Sequence, residues 1–113
     1  MFDELKCVYT LPKKYNGVDI EVEFNNLSYQ TQSLKCNMGK YILDEGGTLC
    51  VLKDEEKQRV DYFGNLKFYT FVSVLEGQGG WWIEYVGKFA YGVCLDIKLS
   101  KFYIVKQNGV DIV

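Results

Sequence analysis

Residues 66–75 decide the fold, and they read Leu66-Lys67-Phe68-Tyr69-Thr70-Phe71-Val72-Ser73-Val74-Leu75. Successive side chains of a strand point to opposite faces, so Phe68 and Val72 would lie on one face and Tyr69 and Phe71 on the other. Both faces are apolar, which predicts a central strand that is covered on both sides. The stretch is strand-sized and is far shorter than the roughly 20 residues of a membrane-spanning helix.

Upstream, residues 18–25 alternate strictly between apolar and polar side chains, as expected of a strand with one buried face. A preceding strand over residues 5–11 ends at Pro12, and the Asn16-Gly17 pair supplies a hairpin turn between the two.

Further short strands are predicted from apolar segments separated by turn residues, at 29–31, 40–43, 48–53, 60–63, 81–89, 93–99 and 101–106. The turns are predicted at 44–47, 64–65 and 90–92, and the charged segment 53–59 is expected to be a solvated loop. No window shows a helical period. The sequence therefore predicts a single all-β domain over residues 1–113, an antiparallel sandwich or barrel of about eight or nine short strands.

Composition narrows the classes of function. The net charge of −2 and the pI near 5.1 argue against direct nucleic-acid binding, which depends on clustered lysine and arginine. No basic segment followed by an apolar core opens the chain, so we expect a cytoplasmic location and no membrane association.

The residues that most enzymes use are largely missing. The chain has no histidine, so neither a Ser-His nor a Cys-His nucleophilic pair can form. Its four cysteines are spread along the chain without a Cys-x-x-Cys pair, and in a reducing compartment we expect free thiols rather than zinc ligands or disulfides. The carboxylates at 44–45 and 54–56 lie in polar turns and loops. We therefore predict a protein that is not an enzyme and has no catalytic residue, cofactor or metal.

Two features are candidates for binding a partner. Trp81 and Trp82 follow a glycine-rich loop and, as neighbours on a strand, must point to opposite faces, so one of them is a candidate anchor together with Tyr85. The alternative is that one tryptophan lies in the core and the other packs under a loop.

The second candidate is the row of carboxylates formed by Asp19, Glu21 and Glu23, spaced about 6.8 Å apart along one strand face. Such a row resembles the spacing of backbone phosphates, so a mimic of nucleic acid is one interpretation. The other interpretation is that the row keeps the protein soluble and protects a sheet edge. An open edge elsewhere would allow a homodimer by strand pairing.

Several short segments resemble a group of small uncharacterised proteins found in phages, prophages and bacteria. The segments are Met1-Phe2-Asp3, residues 7–12, Tyr29-Gln30-Thr31-Gln32, residues 34–36 and 41–47, Gly64-Asn65-Leu66-Lys67-Phe68-Tyr69-Thr70 and Trp82-Ile83-Glu84-Tyr85. Gln32 stands where the group usually has lysine, and the charged residues after Leu52 are also a departure. The resemblance implies a phage or prophage setting, and with it the cytoplasm of the host cell as the location, and it carries no catalytic assignment.

Three functions follow as hypotheses. The first is a non-enzymatic binding protein that inhibits a host defence protein by protein-protein contact. The second is an immunity protein against a co-encoded toxin, and the third is a binding module for a nucleotide or sugar.

Overall fold

The computed structural model describes residues 2–20, 27–35, 38–73, 79–105 and 111–112. Within these ranges the chain forms eleven strands, which are β1 (Asp3–Cys7), β2 (Lys14–Tyr15), β3 (Val18–Asp19), β4 (Ser28–Thr31), β5 (Lys40–Leu43), β6 (Leu49–Lys53), β7 (Glu56–Arg59), β8 (Gly64–Ser73), β9 (Gly80–Ala90), β10 (Val93–Val105) and β11 (Asp111–Ile112). The all-β prediction is confirmed. No helical segment in these ranges has the length and apolar character needed to cross a membrane.

Nine of these strands form one mixed sheet in the order β11-β10-β9-β8-β4-β1-β5-β6-β7, and β2 and β3 form a separate hairpin. The pair β1 and β5 is parallel, whereas the other neighbours in the large sheet are antiparallel. The sheet curls far enough for Thr48 to bridge Val93 near the start of β10, yet it does not close into a barrel.

The segment 53–59 is not the solvated loop that the sequence predicts. It forms a hairpin in which β7 pairs with β6 through a turn at Asp54 and Glu55, whose φ angles are +51° and +66°. All four side chains of β7 are exposed, so this edge strand has no apolar alternation that a sequence pattern could detect.

Two other boundaries also differ. Residues 60–63 form no strand, and Gly64-Asn65 begins β8 instead of making a turn. Residues 93–105 form one long strand, with register shifts between Cys94 and Asp96 and between Leu99 and Lys101. Such bulges disturb the alternation of side chains, which is why the sequence indicates two strands where there is one.

The predicted strand 18–25 is described only in part. Val18 and Asp19 pair with Tyr15 and Lys14 in the small hairpin, and residues 21–26 lie outside the described ranges. The first strand covers residues 3–7 and is shorter than its prediction of 5–11.

The core lies on one face of the large sheet. Its largest fully buried side chains include Tyr29 of β4, Phe68 of β8 and Tyr85 of β9. These three strands are neighbours in the sheet. Their rings pack at centroid distances of 5.1 Å for Tyr29 and Phe68 and 5.5 Å for Phe68 and Tyr85. Aromatic pairs in these geometries add stabilisation beyond the area they bury. The opposite face of β8, β9 and β10 carries the candidate site.

Candidate partner-binding surface

The adjacent tryptophans of β9 point to opposite faces of the sheet, as predicted. Trp81 lies on the core side and stacks on Phe102 with a centroid distance of 4.8 Å and an interplanar angle of 9°. Trp82 lies on the outer side, where its strand neighbours are Phe71 of β8 and Tyr103 of β10. Only Trp82 can therefore take part in a surface on that side.

The outer side carries a row of four aromatic residues, which we call the aromatic face: Tyr69, Phe71, Trp82 and Tyr103. Trp82 stacks on Tyr69 at 5.1 Å and on Tyr103 at 6.4 Å, with interplanar angles of 22° and 26°. Phe71 lies directly opposite Trp82 and is 46% exposed. The rings rest on a three-stranded part of the sheet, so they are held in place before any partner arrives.

The prediction that residues 66–75 are covered on both sides is wrong for the outer face of residues 66–73, and Val74 and Leu75 lie outside the described residues. Strand β8 is interior to the sheet, and Leu66 and Phe68 are fully buried on its core side. On its outer side Tyr69 is half-buried and Phe71 is exposed. A strand that is apolar on both faces normally has a layer on each of them, and the described part of this chain supplies a layer on one.

Lysines lie on one side of the aromatic face, toward the start of β8. On the outer side of β8, β9 and β10 the charged residues are Lys67, Lys88, Lys98, Lys101, Glu84 and Asp96. Four lysines against two carboxylates give this region a formal charge of +2, whereas the whole chain carries −2. The lysines are exposed, but Glu84 is only 7% exposed, so its charge is the least available to a partner.

Glu84 lies opposite Tyr69 on the outer side of β9 and is hydrogen-bonded to β10. Ser100 Oγ lies 3.0 Å from the Glu84 carbonyl oxygen and 3.3 Å from its Oε2, and it can donate to either of these acceptors. Ser100 is the additional residue at the second register shift of β10, so the bulge directs its hydroxyl toward Glu84.

Tyr85, one of the predicted partner-binding residues, is in the core. Its side chain is fully buried, and its hydroxyl donates a hydrogen bond of 2.7 Å to the carbonyl oxygen of Pro12. Burial raises the pKa of the Tyr85 phenol well above its usual value, with a smaller contribution from Cys7. Tyr85 is therefore inaccessible to a partner and is not part of the aromatic face.

The carboxylate row is described at one of its three positions. Asp19 is exposed at the end of β3 in the small hairpin, opposite Lys14. Glu21 and Glu23 lie outside the described residues, so the row remains a prediction.

The cysteines that the structure describes are free, and burial is the main cause that raises the pKa of each of them, Cys7, Cys50 and Cys94. A thiol with a raised pKa is a poor nucleophile at neutral pH. In the same part of the chain no three carboxylate or thiol side chains lie close enough together to hold a metal ion. The chemistry that the arrangement does offer is noncovalent: stacking on the aromatic rings and attraction by the lysines.

Sequence reasoning missed three members of this surface. Tyr69 and Phe71 are assigned to a covered face, and Tyr103 is assigned to a separate final strand. One signal for the first two exists in the sequence: a domain without helices has few elements with which to cover the second face of a doubly apolar strand. Nothing local marks Tyr103, because the bulge at Ser100 determines its register with Trp82.

Comparison with known proteins does not assign this chain to a family. No family model matches the chain, and neither a curated protein nor a solved structure is significantly similar to it.

Proposed function

We propose that this protein is a non-enzymatic binding protein that acts by contact with a partner protein through its aromatic face. The observation that carries the proposal is the stacked row of Tyr69, Trp82 and Tyr103 beside the exposed ring of Phe71. Tryptophan and tyrosine are enriched among the residues that contribute most to protein-protein affinity. Because these rings are already packed against each other, binding would order few additional side chains.

The lysines beside the aromatic face favour a partner with acidic residues next to an apolar patch. Charge of opposite sign at the rim increases the association rate, while the desolvated aromatic centre supplies most of the affinity. A protein partner fits better than nucleic acid because the chain as a whole is acidic, which opposes the approach of a phosphate backbone.

The resemblance to phage and prophage proteins makes a host defence protein, such as a nuclease, the first class of partner to test, with inhibition as the result of binding. An immunity protein against a co-encoded toxin would use the same surface. The neighbouring genes separate these alternatives, because an adjacent toxin gene favours immunity and adjacent phage genes favour a host target.

The test measures affinity with surface variants. The tagged protein captures candidates from a host lysate, and each candidate is then purified and titrated against the wild type, Phe71→Ala and Trp82→Ala. We expect the Kd to rise at least about tenfold in these two variants, as for central aromatic residues of an interface. Phe63→Ala is the matched control, because Phe63 is 57% exposed and its ring pairs with Tyr91 away from the aromatic face.

Equal affinity of all four proteins for every purified candidate would contradict the proposal. Saturable binding of a single-stranded oligonucleotide that both Phe71→Ala and Trp82→Ala abolish would also overturn it, since stacked aromatic rings with lysines also suit bases and phosphates. Circular dichroism of each variant establishes that it is folded before the titrations are compared.

A further inference from the structure

Strand β7 forms one end of the large sheet, and among the described residues its only strand neighbour is β6. An edge strand of this kind presents unpaired backbone N–H and C=O groups to which a further strand can bond. All four side chains of β7 are exposed, so no described part of the chain lies over them. Which backbone groups point outward follows from the hydrogen bonds between β6 and β7.

The backbone groups of Lys57 and Arg59 point away from β6. The Val60 N–H donates a hydrogen bond of 2.9 Å to the Leu49 carbonyl oxygen, and this pair comes directly after the pair of Arg59 in the register. Hydrogen-bonded and non-bonded pairs alternate along an antiparallel ladder, so Gln58 is bonded to β6, whereas Lys57 and Arg59 are not. The free edge therefore offers two donors and two acceptors.

The hairpin turn between β6 and β7 gives the same assignment. Its two central residues, Asp54 and Glu55, have φ angles of +51° and +66°, as in a type I′ turn. Such a turn is closed by a hydrogen bond between its first and fourth residues, which here are Lys53 and Glu56. Because bonded pairs alternate from this point on, the same two residues of β7 are again free.

Both residues with free backbone groups carry a positive charge. Lys57 and Arg59 are two positions apart, so their side chains lie on the same face of the sheet, about 6.8 Å apart along the strand. Arg59 Nη2 lies 3.3 Å from Asp61 Oδ1, but both side chains are more than half exposed, and such surface ion pairs stabilise little. Another carboxylate can therefore replace Asp61.

A second copy of the chain does not fit this edge. Backbone bonds between two β7 edges must join residue 57 or 59 of one copy to residue 57 or 59 of the other, because only these residues of β7 have free groups. Every such register places two cations directly opposite each other, which destabilises the pairing. Charges on an edge strand also disfavour an apolar strand. An acidic strand would instead place a carboxylate opposite each cation.

We infer that β7 binds an extended acidic segment of another protein by antiparallel strand addition, with carboxylates at alternate positions opposite Lys57 and Arg59. In this mode of recognition the main-chain hydrogen bonds provide affinity, and the alternate side chains provide specificity. The site shares no residue with the aromatic face, so a failure of one proposal leaves the other in place.

Titration of the isotope-labelled protein, followed by nuclear magnetic resonance, tests the inference with the blocked peptide Thr-Thr-Glu-Thr-Glu-Thr-Thr. We expect saturable shifts of the backbone amide signals of Lys57 and Arg59, and no shift of the Trp82 signals. The same peptide with lysine at both glutamate positions should not bind. Lys57→Gln and Arg59→Gln should each weaken binding about fivefold, the upper end of what exposed ion pairs contribute. Lys98→Gln, at an exposed lysine of β10, is the control and should leave the affinity unchanged.

Two methylated peptides test the backbone bonds separately from the charges. Residues of the peptide that lie opposite the free residues of β7 direct their own N–H groups toward β7, whereas the residue between them directs its N–H away. Methylation of both glutamate nitrogens should therefore abolish binding. Methylation of the central threonine nitrogen is the matched control and should preserve it.

The inference is overturned if the amide signals of Lys57 and Arg59 do not shift saturably, or if the lysine peptide binds as tightly as the glutamate peptide. It is also overturned if the two methylated peptides bind equally, or if Lys98→Gln weakens binding as much as Lys57→Gln. Shifts of the same amides when the protein alone is concentrated would show that a second copy occupies the edge. All three substitutions are at exposed side chains, so the variants are expected to fold.

Discussion

The two faces of strands β8, β9 and β10 carry the same kind of side chain and differ in what covers them. On the core face Phe68 and Tyr85 stack at 5.5 Å and are fully buried. On the outer face Tyr69 and Trp82 stack at 5.1 Å but keep contact with solvent. The comparison shows that aromatic content does not separate a core from a binding surface, because both faces have it. The separation depends on whether another part of the chain lies over the rings.

The largest difference in the loss of stability is expected between alanine substitutions of two phenylalanines of β8. Phe68→Ala should lower the free energy of unfolding by about 3 to 5 kcal/mol, because it leaves a cavity in a fully buried site. Phe71→Ala should lower it by less than about 1 kcal/mol, because Phe71 is 46% exposed. Chemical denaturation at neutral pH measures both values. Equal losses would mean that the outer face is covered, and the aromatic face would no longer be a candidate surface.

A smaller difference in the loss of stability is expected when the hydroxyl groups of two tyrosines are removed. Tyr85→Phe removes a buried donor and leaves the Pro12 carbonyl oxygen without its 2.7 Å hydrogen bond, so the free energy of unfolding should fall by about 1 to 2 kcal/mol. Tyr69→Phe keeps the stack on Trp82 and should change stability by less than about 0.5 kcal/mol. If Tyr69→Phe proved the more costly of the two, its hydroxyl would have a structural role and the outer face would be less open than described.

Substitution of the serine at the β10 bulge should have a still smaller effect on stability. Ser100→Ala removes the hydroxyl that donates toward Glu84, and we expect a loss of about 1 kcal/mol in the free energy of unfolding. Ser73, which is exposed on the outer face of β8, provides the control, and Ser73→Ala should be neutral within about 0.5 kcal/mol. Identical denaturation curves for the Ser100 variant and the wild type would show that the bulge positions Glu84 without this hydrogen bond.

The burial of Cys7 and Tyr85 should make the free energy of unfolding depend on pH in the alkaline range. Burial raises the pKa values of Cys7 and Tyr85 above their usual values of 9.0 and 10.0, so the folded state holds these protons more tightly than the unfolded chain does. Their contribution to stability is complete below about pH 8 and is lost as the pH rises through these usual values, where the unfolded chain ionises first. Denaturation between pH 7 and 11 should show this decline, with a smaller slope above pH 10 in Tyr85→Phe. A stability that rises over this interval would contradict the burial of both groups.

Part of the candidate surface could be predicted from the sequence. The opposite orientation of Trp81 and Trp82 follows from their adjacency on a strand, and the structure confirms it. Whether Tyr85 belongs to the surface could be decided only once the structure showed which of the two faces is the core. Tyr85 follows Trp82 by three residues, so alternation places it on the face of Trp81, and that face is the core.

The sequence by itself determined that the protein is all-β, because no segment has a helical period and turn residues recur between short apolar stretches. It also determined which side chains share a strand face wherever the strand is regular. Both properties are local, since they depend on backbone geometry over a few residues.

Tertiary structure alone decided which apolar face became the core and which stayed open. The parallel pairing of β1 with β5, the edge strand β7 and the bulges of β10 depend on contacts between distant segments. The register set by those contacts places Tyr103 beside Trp82. Because burial results from how layers pack rather than from the order of side chains within one strand, the aromatic face could be recognised only once the sheet was assembled.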